Sequence, residues 1–398
     1  MEKEISELKD THLYRRLKTL KKIDGVRAVF EGREVLLFCG NDYLGLSRDP
    51  RVIDAAVTTA QTHGVGSGAA RLISGSTDWH ARLEEEIARF KGTAAALLYS
   101  SGYLANLGIL TALAGKGDVI VMDKLCHASA IDAARLSQAT VRVFPHKNYR
   151  RCDEILQRNK GARTILVSDS VFSMDGDVAD LEELVRLKGK HDGLLVIDDA
   201  HGIGVLGSRG RGAAEDSNLT SRIDVTMGTL SKSIGCLGGF AAGSAAMIDY
   251  LINFSRPFIF DTSLPPLLCA AASRALELVD QEPEIRMRLW KNIHKVHAGL
   301  KKAGYSLAPA SSPIIPIVVG GEESALALAE ALLREGILVP AVRYPTVPKG
   351  KARLRLTVSA AHQDRDIEYV IKALFRVKKH FFSDKIDPLN PFVEETVQ

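Results

Sequence analysis

The sequence predicts an α/β protein, with a large domain built on a mostly parallel sheet covered by helices on both faces and a small C-terminal α+β domain. Three observations carry this. The 398-residue chain is longer than a single core usually supports. From about residue 45 to 280, short apolar runs alternate with helical patterns. Beyond a long helical stretch interrupted at Pro283, the pattern changes to a few strands and two helices.

Residues 1 to about 25 place Ile5, Leu8 and Leu13 among many charges, which predicts an amphipathic helical arm resting on something else. The runs Ala95 to Tyr99, Val119 to Met122, Val141 to Phe144, Thr164 to Val167, Leu194 to Ile197 and Val225 to Met227 are expected strands of one sheet. Between residues 80 and 91, Leu83, Ile87 and Phe90 recur at helical spacing among charges, as a sheet-covering helix requires. Thr93 to Gly115 carries no charge, but Ser100, Ser101, Gly102 and Asn106 interrupt it, so strand, turn and helix are expected there instead of a membrane span. Leu267 to about Lys302 reads as the helical connection into the second domain. That domain has strands at Ile314 to Val319, Ile337 to Val339 and Leu354 to Val358, a helix around Leu328 and Leu332 stopped by Gly336, and a last helix with Ile367, Ile371 and Leu374. The tail after Asp384 is expected to be irregular. The predicted division is an N-terminal arm (1–45), a large domain (46–285) and a small domain (286–398).

Composition removes several functional classes. Hydrophobic residues make up 46% and charged residues 25%, and a net charge of +4 is too small to imply a nucleic-acid or membrane partner. The five cysteines (Cys39, Cys126, Cys152, Cys236 and Cys269) lack CxxC spacing, so neither a disulfide framework nor a metal site is expected. Glu2, Lys3 and Glu4 replace the basic region and apolar stretch of a targeting peptide, and a cytoplasmic location is the expectation.

The chemistry lies where two predicted strands end. Asp198 closes one strand in Val196-Ile197-Asp198-Asp199-Ala200-His201-Gly202, and Lys232 follows 34 residues later in Thr229-Leu230-Ser231-Lys232. A lysine delivered opposite an aspartate points to pyridoxal phosphate (PLP). The amine can form a Schiff base with the cofactor aldehyde, and the carboxylate can keep the pyridine nitrogen protonated. At about 3 Å and an effective dielectric near 20, that attraction is on the order of 5 kcal/mol before desolvation, ample to bias protonation. Either residue alone would as readily be a strand-end cap or the start of a surface helix. Ser101-Gly102-Tyr103 adds backbone donors at a predicted helix start, suited to a phosphate, and Thr229 and Ser231 add hydroxyls. His201, three residues after Asp198, could reach the cofactor's phenolic oxygen; His127 also follows a strand. The clusters Gly64-Val65-Gly66-Ser67-Gly68 and Gly207, Gly210, Gly212 lack dinucleotide-binding spacing and context, which disfavours a nicotinamide dehydrogenase, and the second reads as a surface loop.

Along nearly its whole length the chain resembles the α-oxoamine synthases, PLP enzymes of fold type I (aspartate-aminotransferase-like). The resemblance rests on Asn41-Asp42-Tyr43-Leu44-Gly45-Leu46, the run Gly66 to Gly75, Ser101-Gly102-Tyr103, His127-Ala128-Ser129, Val171 to Asp177, Asp198 to Gly202, Thr229 to Lys232 and Arg353-Leu354-Arg355-Leu356-Thr357. It implies Lys232 as the lysine that holds PLP, Asp198 at the pyridine nitrogen, His201 and Ser173 at the phenolic oxygen, and His127 stacked on the ring. Gly102, Tyr103 and Thr229 would serve the phosphate. Asn41, Arg355 and Thr357 resemble substrate-binding positions, and Arg15, with Arg16 equally placed, the arginine that meets the acyl substrate's carboxylate. Asp169 stands where the family usually has glutamate, and Leu230-Ser231 replaces Phe-Gly.

The implied activity is decarboxylative condensation of an amino acid with an acyl thioester, carried on CoA or on a carrier protein. The segments 41–46 and 66–75 look most like the family member that joins pimeloyl thioester to L-alanine in biotin synthesis. A glycine C-acetyltransferase, using glycine and a short acyl-CoA, is the nearest alternative; a PLP-fold binding module without catalysis is the alternative from another class. The family implies a homodimer, with the N-terminal arm and Phe260 to Pro266 as the segments used.

Overall fold

The computed structural model describes residues 1–381. The irregular tail expected after Asp384 lies outside the described residues. The described residues form two compact units, one of residues 46–173 and 177–286, the other of residues 1–45, 174–176 and 287–381.

The larger unit holds a seven-stranded sheet in the order Ala95–Tyr99, Gly239–Gly243, Val225–Thr229, Leu194–Asp198, Thr164–Asp169, Val119–Asp123 and Thr140–Phe144. All pairings are parallel except those of Gly239–Gly243, which runs antiparallel to both neighbours. Six strands lie where the apolar runs predict them. The seventh, Gly-Phe-Ala-Ala-Gly, has only one large side chain, and pairing on both edges compensates for its weak strand propensity. Central strands such as Val119–Asp123 and Thr164–Asp169 are buried along their whole length, as a sheet covered on both faces demands.

The chargeless segment Thr93 to Gly115 resolves into the strand Ala95–Tyr99, a turn and the helix Gly102–Leu113. Ile109, Leu110 and Leu113 of that helix pack with Leu97, Ile120, Val167 and Val196 of the sheet in one core. The helix Asp78–Lys91 buries Leu83, Ile87 and Phe90, the predicted stripe.

The smaller unit contains a three-stranded antiparallel sheet in the order Ile314–Gly320, Ala352–Thr357 and Ala341–Val342, with the helices Glu322–Arg334 and Asp364–Phe381. Helix extends over only part of the expected N-terminal arm. Glu2–Asp10 is helical, and three strands follow: Lys21–Asp24, Arg27–Phe30 and Arg33–Leu37. Positive φ at Glu31 (49°) and Gly32 (78°) makes a two-residue turn that pairs Phe30 with Arg33. Arg33–Leu37 then pairs in parallel with Ile337–Leu338, which joins the first 45 residues to this unit. No described helix is long and apolar enough to cross a membrane.

Candidate active site

Parallel strands that end side by side bring their last residues to one edge of the sheet, where open α/β sheets bind ligands. Asp169 and Asp198 are register partners on adjacent strands, and Thr229 ends the next strand. There, Ser101, Gly102, Tyr103, His127, Ser129, Asp169, Asp198, His201, Thr229, Ser231 and Lys232, with Ala200 and Met227, line a cavity of about 250 Å³. Ser101, Gly102, Tyr103, His127, Asp198, His201, Thr229, Ser231 and Lys232, which the sequence singles out, thus meet in one pocket.

Asp198 is buried, and two donors hold its carboxylate. Asn106 Nδ2 donates to Oδ2 at 2.7 Å, and the Ala200 backbone N–H donates to Oδ1 at 3.0 Å. Asn106 Nδ2 also donates to Ser129 Oγ at 2.9 Å. His127 caps the helix Ala128–Leu136, its Nδ1 accepting from the Ser129 N–H at 3.2 Å and lying 2.8 Å from Ser129 Oγ. Its imidazole is pushed below the usual histidine range by burial and by the Lys232 ammonium, against the opposing pull of Asp198. Asp169 accepts from the His127 backbone N–H at 3.1 Å; burial and the Asp198 charge drive its carboxyl well above the usual range.

The helix Gly102–Leu113 starts at the pocket. Ser101 caps it, accepting from the Leu104 N–H at 3.2 Å, and the twelve-residue helix directs its first N–H groups and positive dipole end there. A Cβ on residue 102 would lie 3.2 Å from both Cβ and Oγ1 of Thr229, so glycine keeps this corner open. The Thr229 hydroxyl donates to the Gly238 carbonyl at 2.9 Å, and Ser231 Oγ lies 2.7 Å from it. The Tyr103 hydroxyl donates to Asp132, leaving its backbone N–H at the helix start. These groups fit a phosphate at the helix start, a basic ring nitrogen at Asp198 and an aldehyde within reach of an amine, the three polar ends of PLP.

His201 is buried on the turn after Asp198. That turn is shaped by Asp199, which accepts from Lys91 Nζ at 2.8 Å and from Ser170 Oγ at 2.7 Å. The glycine-rich segment 207–212, expected as a surface loop, closes over Asp199: Gly210 and Gly212 are buried, and a Cβ on Gly212 would overlap the Asp199 carboxylate. Ser173 lies on the neighbouring turn between Val171 and Val178 and does not line the cavity.

The substrate-binding candidates fall in the smaller unit. Arg355 donates to Asn41 Oδ1 through Nη1 (3.3 Å) and Nη2 (3.2 Å), and Tyr43 OH donates to the same oxygen at 3.2 Å. Thr357 donates to the Gly40 carbonyl at 2.8 Å. Arg15 instead donates to the Tyr344 carbonyl at 3.4 Å, and the Arg16 guanidinium lies over the Tyr14 ring. Sequence reasoning does not assign a role to Asn106, Ser129 or Tyr43. An amide on the buried face of an otherwise apolar helix was the available signal for Asn106.

Residues 33–374 match the family model described as aminotransferase class I and II. The chain is 46% identical over 380 residues to an 8-amino-7-oxononanoate synthase of Geobacter sulfurreducens, spanning 94% of this chain and 97% of that protein. It is 40% identical over 381 residues to that of Thermoanaerobacter pseudethanolicus, spanning 95% and 96%. Among solved structures, a serine palmitoyltransferase from S. paucimobilis with bound PLP and myriocin superposes with a TM-score of 0.91 at 32% identity, covering 95% of this chain and 96% of the other. An 8-amino-7-oxononanoate synthase from Francisella tularensis gives 0.76 at 29% identity, covering 87% and 98%. The fold, the pocket and these similarities place the chain plainly: it belongs to the class I and II aminotransferase family and, within it, to the α-oxoamine synthases.

Proposed function

We propose that this chain is a PLP-dependent acyltransferase that condenses L-alanine with a pimeloyl thioester, releasing CO2 and the free thiol and giving 8-amino-7-oxononanoate for biotin synthesis. One observation carries the reading. Lys232 and Asp198 line the same pocket at a helix N-terminus, in a chain 46% identical over nearly its full length to a protein of that activity.

PLP supplies an aldehyde that captures amines and an electron-poor ring that takes up the charge left when a bond to the amino acid's Cα breaks. The backbone N–H groups of Gly102 and Tyr103, with the hydroxyls of Thr229 and Ser231, bind the phosphate. Asp198 would hold a proton on the ring nitrogen, His201 would donate to the phenolic oxygen, to which Ser173 on the neighbouring turn is also assigned, and His127 would lie against the ring. Lys232 would hold the aldehyde, and its amine would move the proton at the alanine Cα. Arg355, steadied by Asn41 and with Thr357 nearby in sequence, binds a substrate carboxylate as a two-pronged donor. Arg15 is assigned to the far carboxylate of the acyl chain.

A second copy of the chain is the proposed partner. Ile5 and Leu8 of the N-terminal helix are exposed, as are Val65, Ile73 and Phe260 in the larger unit, and a homodimer would cover such surfaces. The Ala70–Thr262 bridge and the Ser263 N–H bond to the Ala69 carbonyl tie the Gly66 to Gly75 run to the Phe260 to Pro266 segment. A reducing cytosol is the proposed location, where thiols such as those of the buried Cys126, Cys152 and Cys269 persist.

Turnover measured side by side tests the activity. L-alanine with pimeloyl-CoA or pimeloyl carrier protein should give the largest kcat/KM and stoichiometric CO2. Preferential turnover of glycine with acetyl-CoA would assign the chain to the sibling activity instead. Ligand binding with no turnover of any amino acid would identify a non-catalytic module.

A further inference from the structure

The acid and the imidazole of the pocket are joined through a residue to which neither the motifs nor the reading above assign a role. Asn106 Nδ2 lies 2.7 Å from Asp198 Oδ2 and 2.9 Å from Ser129 Oγ, and all three residues are buried. The reversed amide would set its oxygen against the Asp198 carboxylate, so the orientation is fixed and both N–H bonds are used. Ser129 Oγ, having accepted one of them, has its own hydrogen to give, and His127 Nδ1 is 2.8 Å away. The Ser129 backbone N–H points to the same nitrogen at 3.2 Å. With two donors on Nδ1, the ring hydrogen resides on Nε2.

We propose that Asn106 is a positioning residue: its amide orients Asp198 and turns the Ser129 hydroxyl onto His127 Nδ1, holding the imidazole in the neutral Nε2–H form. The proposal deepens the PLP reading and rests on it. The charges facing His127 are Asp198 on its strand, Lys232 on the turn beyond the next strand and Asp132 on the histidine's own helix, while Asp169 holds the His127 backbone N–H. Asp198 and Asp132 both invite a proton onto the ring. A protonated imidazole would form its own ion pair with Asp198 and draw the carboxylate away from the cofactor nitrogen. Donors directed at Nδ1 oppose this, because protonation there would have to displace them.

The test uses the full chain, labelled with 15N in histidine, with the His127 signals assigned by their loss in His127→Gln. In the absence of PLP, wild type should show an Nε2–H ring that stays neutral well below the pH at which an exposed histidine titrates. Asn106→Ala and Ser129→Ala should each raise the His127 titration midpoint by about one unit, and Ser129→Thr, which keeps the hydroxyl, should restore it. Asn106→Ala should also raise the PLP concentration for half-saturation about tenfold. Ser129→Ala is the milder change and keeps the test available should Asn106→Ala fail to fold. An unchanged His127 titration in the folded variants would overturn the proposal. The PLP reading fails separately: half-saturation by PLP would then be unmoved in Asp198→Asn as well, whatever His127 does.

Discussion

Lys91 donates to Asp199 at 2.8 Å with both side chains almost fully enclosed, 2% and 1% exposed, one residue along the chain from Asp198. The same ammonium donates to the Arg211 carbonyl, and Asp199 also receives Ser170 Oγ. The strand end that presents Asp198 is therefore held from behind by a buried ion pair, and glycines at 202 and 212 leave room for its carboxylate.

Lys91→Met should destabilise the fold by about 3–5 kcal/mol, because it leaves a buried carboxylate without its cation. Lys91→Met combined with Asp199→Asn should recover much of that loss. Urea unfolding of the two single variants and the double variant measures the coupling, and simple additivity would show that the pair does not act as a unit.

His146 lies between Asp123 and Asp177, with Nδ1 and Nε2 each 3.0 Å from a carboxylate oxygen. Burial by itself would lower its pKa, but the bonds to Asp123 and Asp177 outweigh it and raise the pKa from 6.5 to about 9. A histidine raised on folding adds stability that is complete below the unfolded value and is lost as pH rises through the folded one. Wild type should therefore lose unfolding free energy between pH 6.5 and 9, relative to His146→Gln. Parallel curves for the two proteins over that interval would contradict the assignment.

Gly102→Ala should separate folding from cofactor binding. The new methyl would press on Thr229 at 3.2 Å, and Thr229 is pinned by the Gly238 carbonyl and by Ser231. A stability loss of about 1 kcal/mol is expected, together with about a tenfold rise in the PLP concentration for half-saturation, since in the proposed site the methyl would stand where the phosphate approaches. Fluorescence titration with PLP, beside a thermal melt, reads both effects.

Strand ends were legible in the sequence because parallel strands buried on both faces are written as unbroken apolar runs, such as Leu194 to Ile197, that stop at the polar residue facing the site. This made Asp198 visible, and the lysine three residues beyond Thr229 followed by the same logic. Gly239–Gly243 was hidden because its place in the sheet is set by its neighbours and not by its own side chains. The N-terminal strands were hidden because they are only four or five residues long and carry adjacent charges, Lys21-Lys22 and Arg33-Glu34, that leave no clear period of two. Asn106 escaped for a different reason. Its partners Asp198 and Ser129 lie 92 and 23 residues away, and no local pattern records a hydrogen bond made across the core.

The central claim is that Lys232 is the amine that holds PLP, and borohydride reduction of the PLP-loaded protein followed by peptide mass mapping tests it most directly. The account predicts one pyridoxyl group per chain, on the peptide that contains Lys232, with no label and turnover reduced by several orders of magnitude in Lys232→Ala. Label on a different lysine, or unlabelled wild-type protein that still forms product, would contradict it.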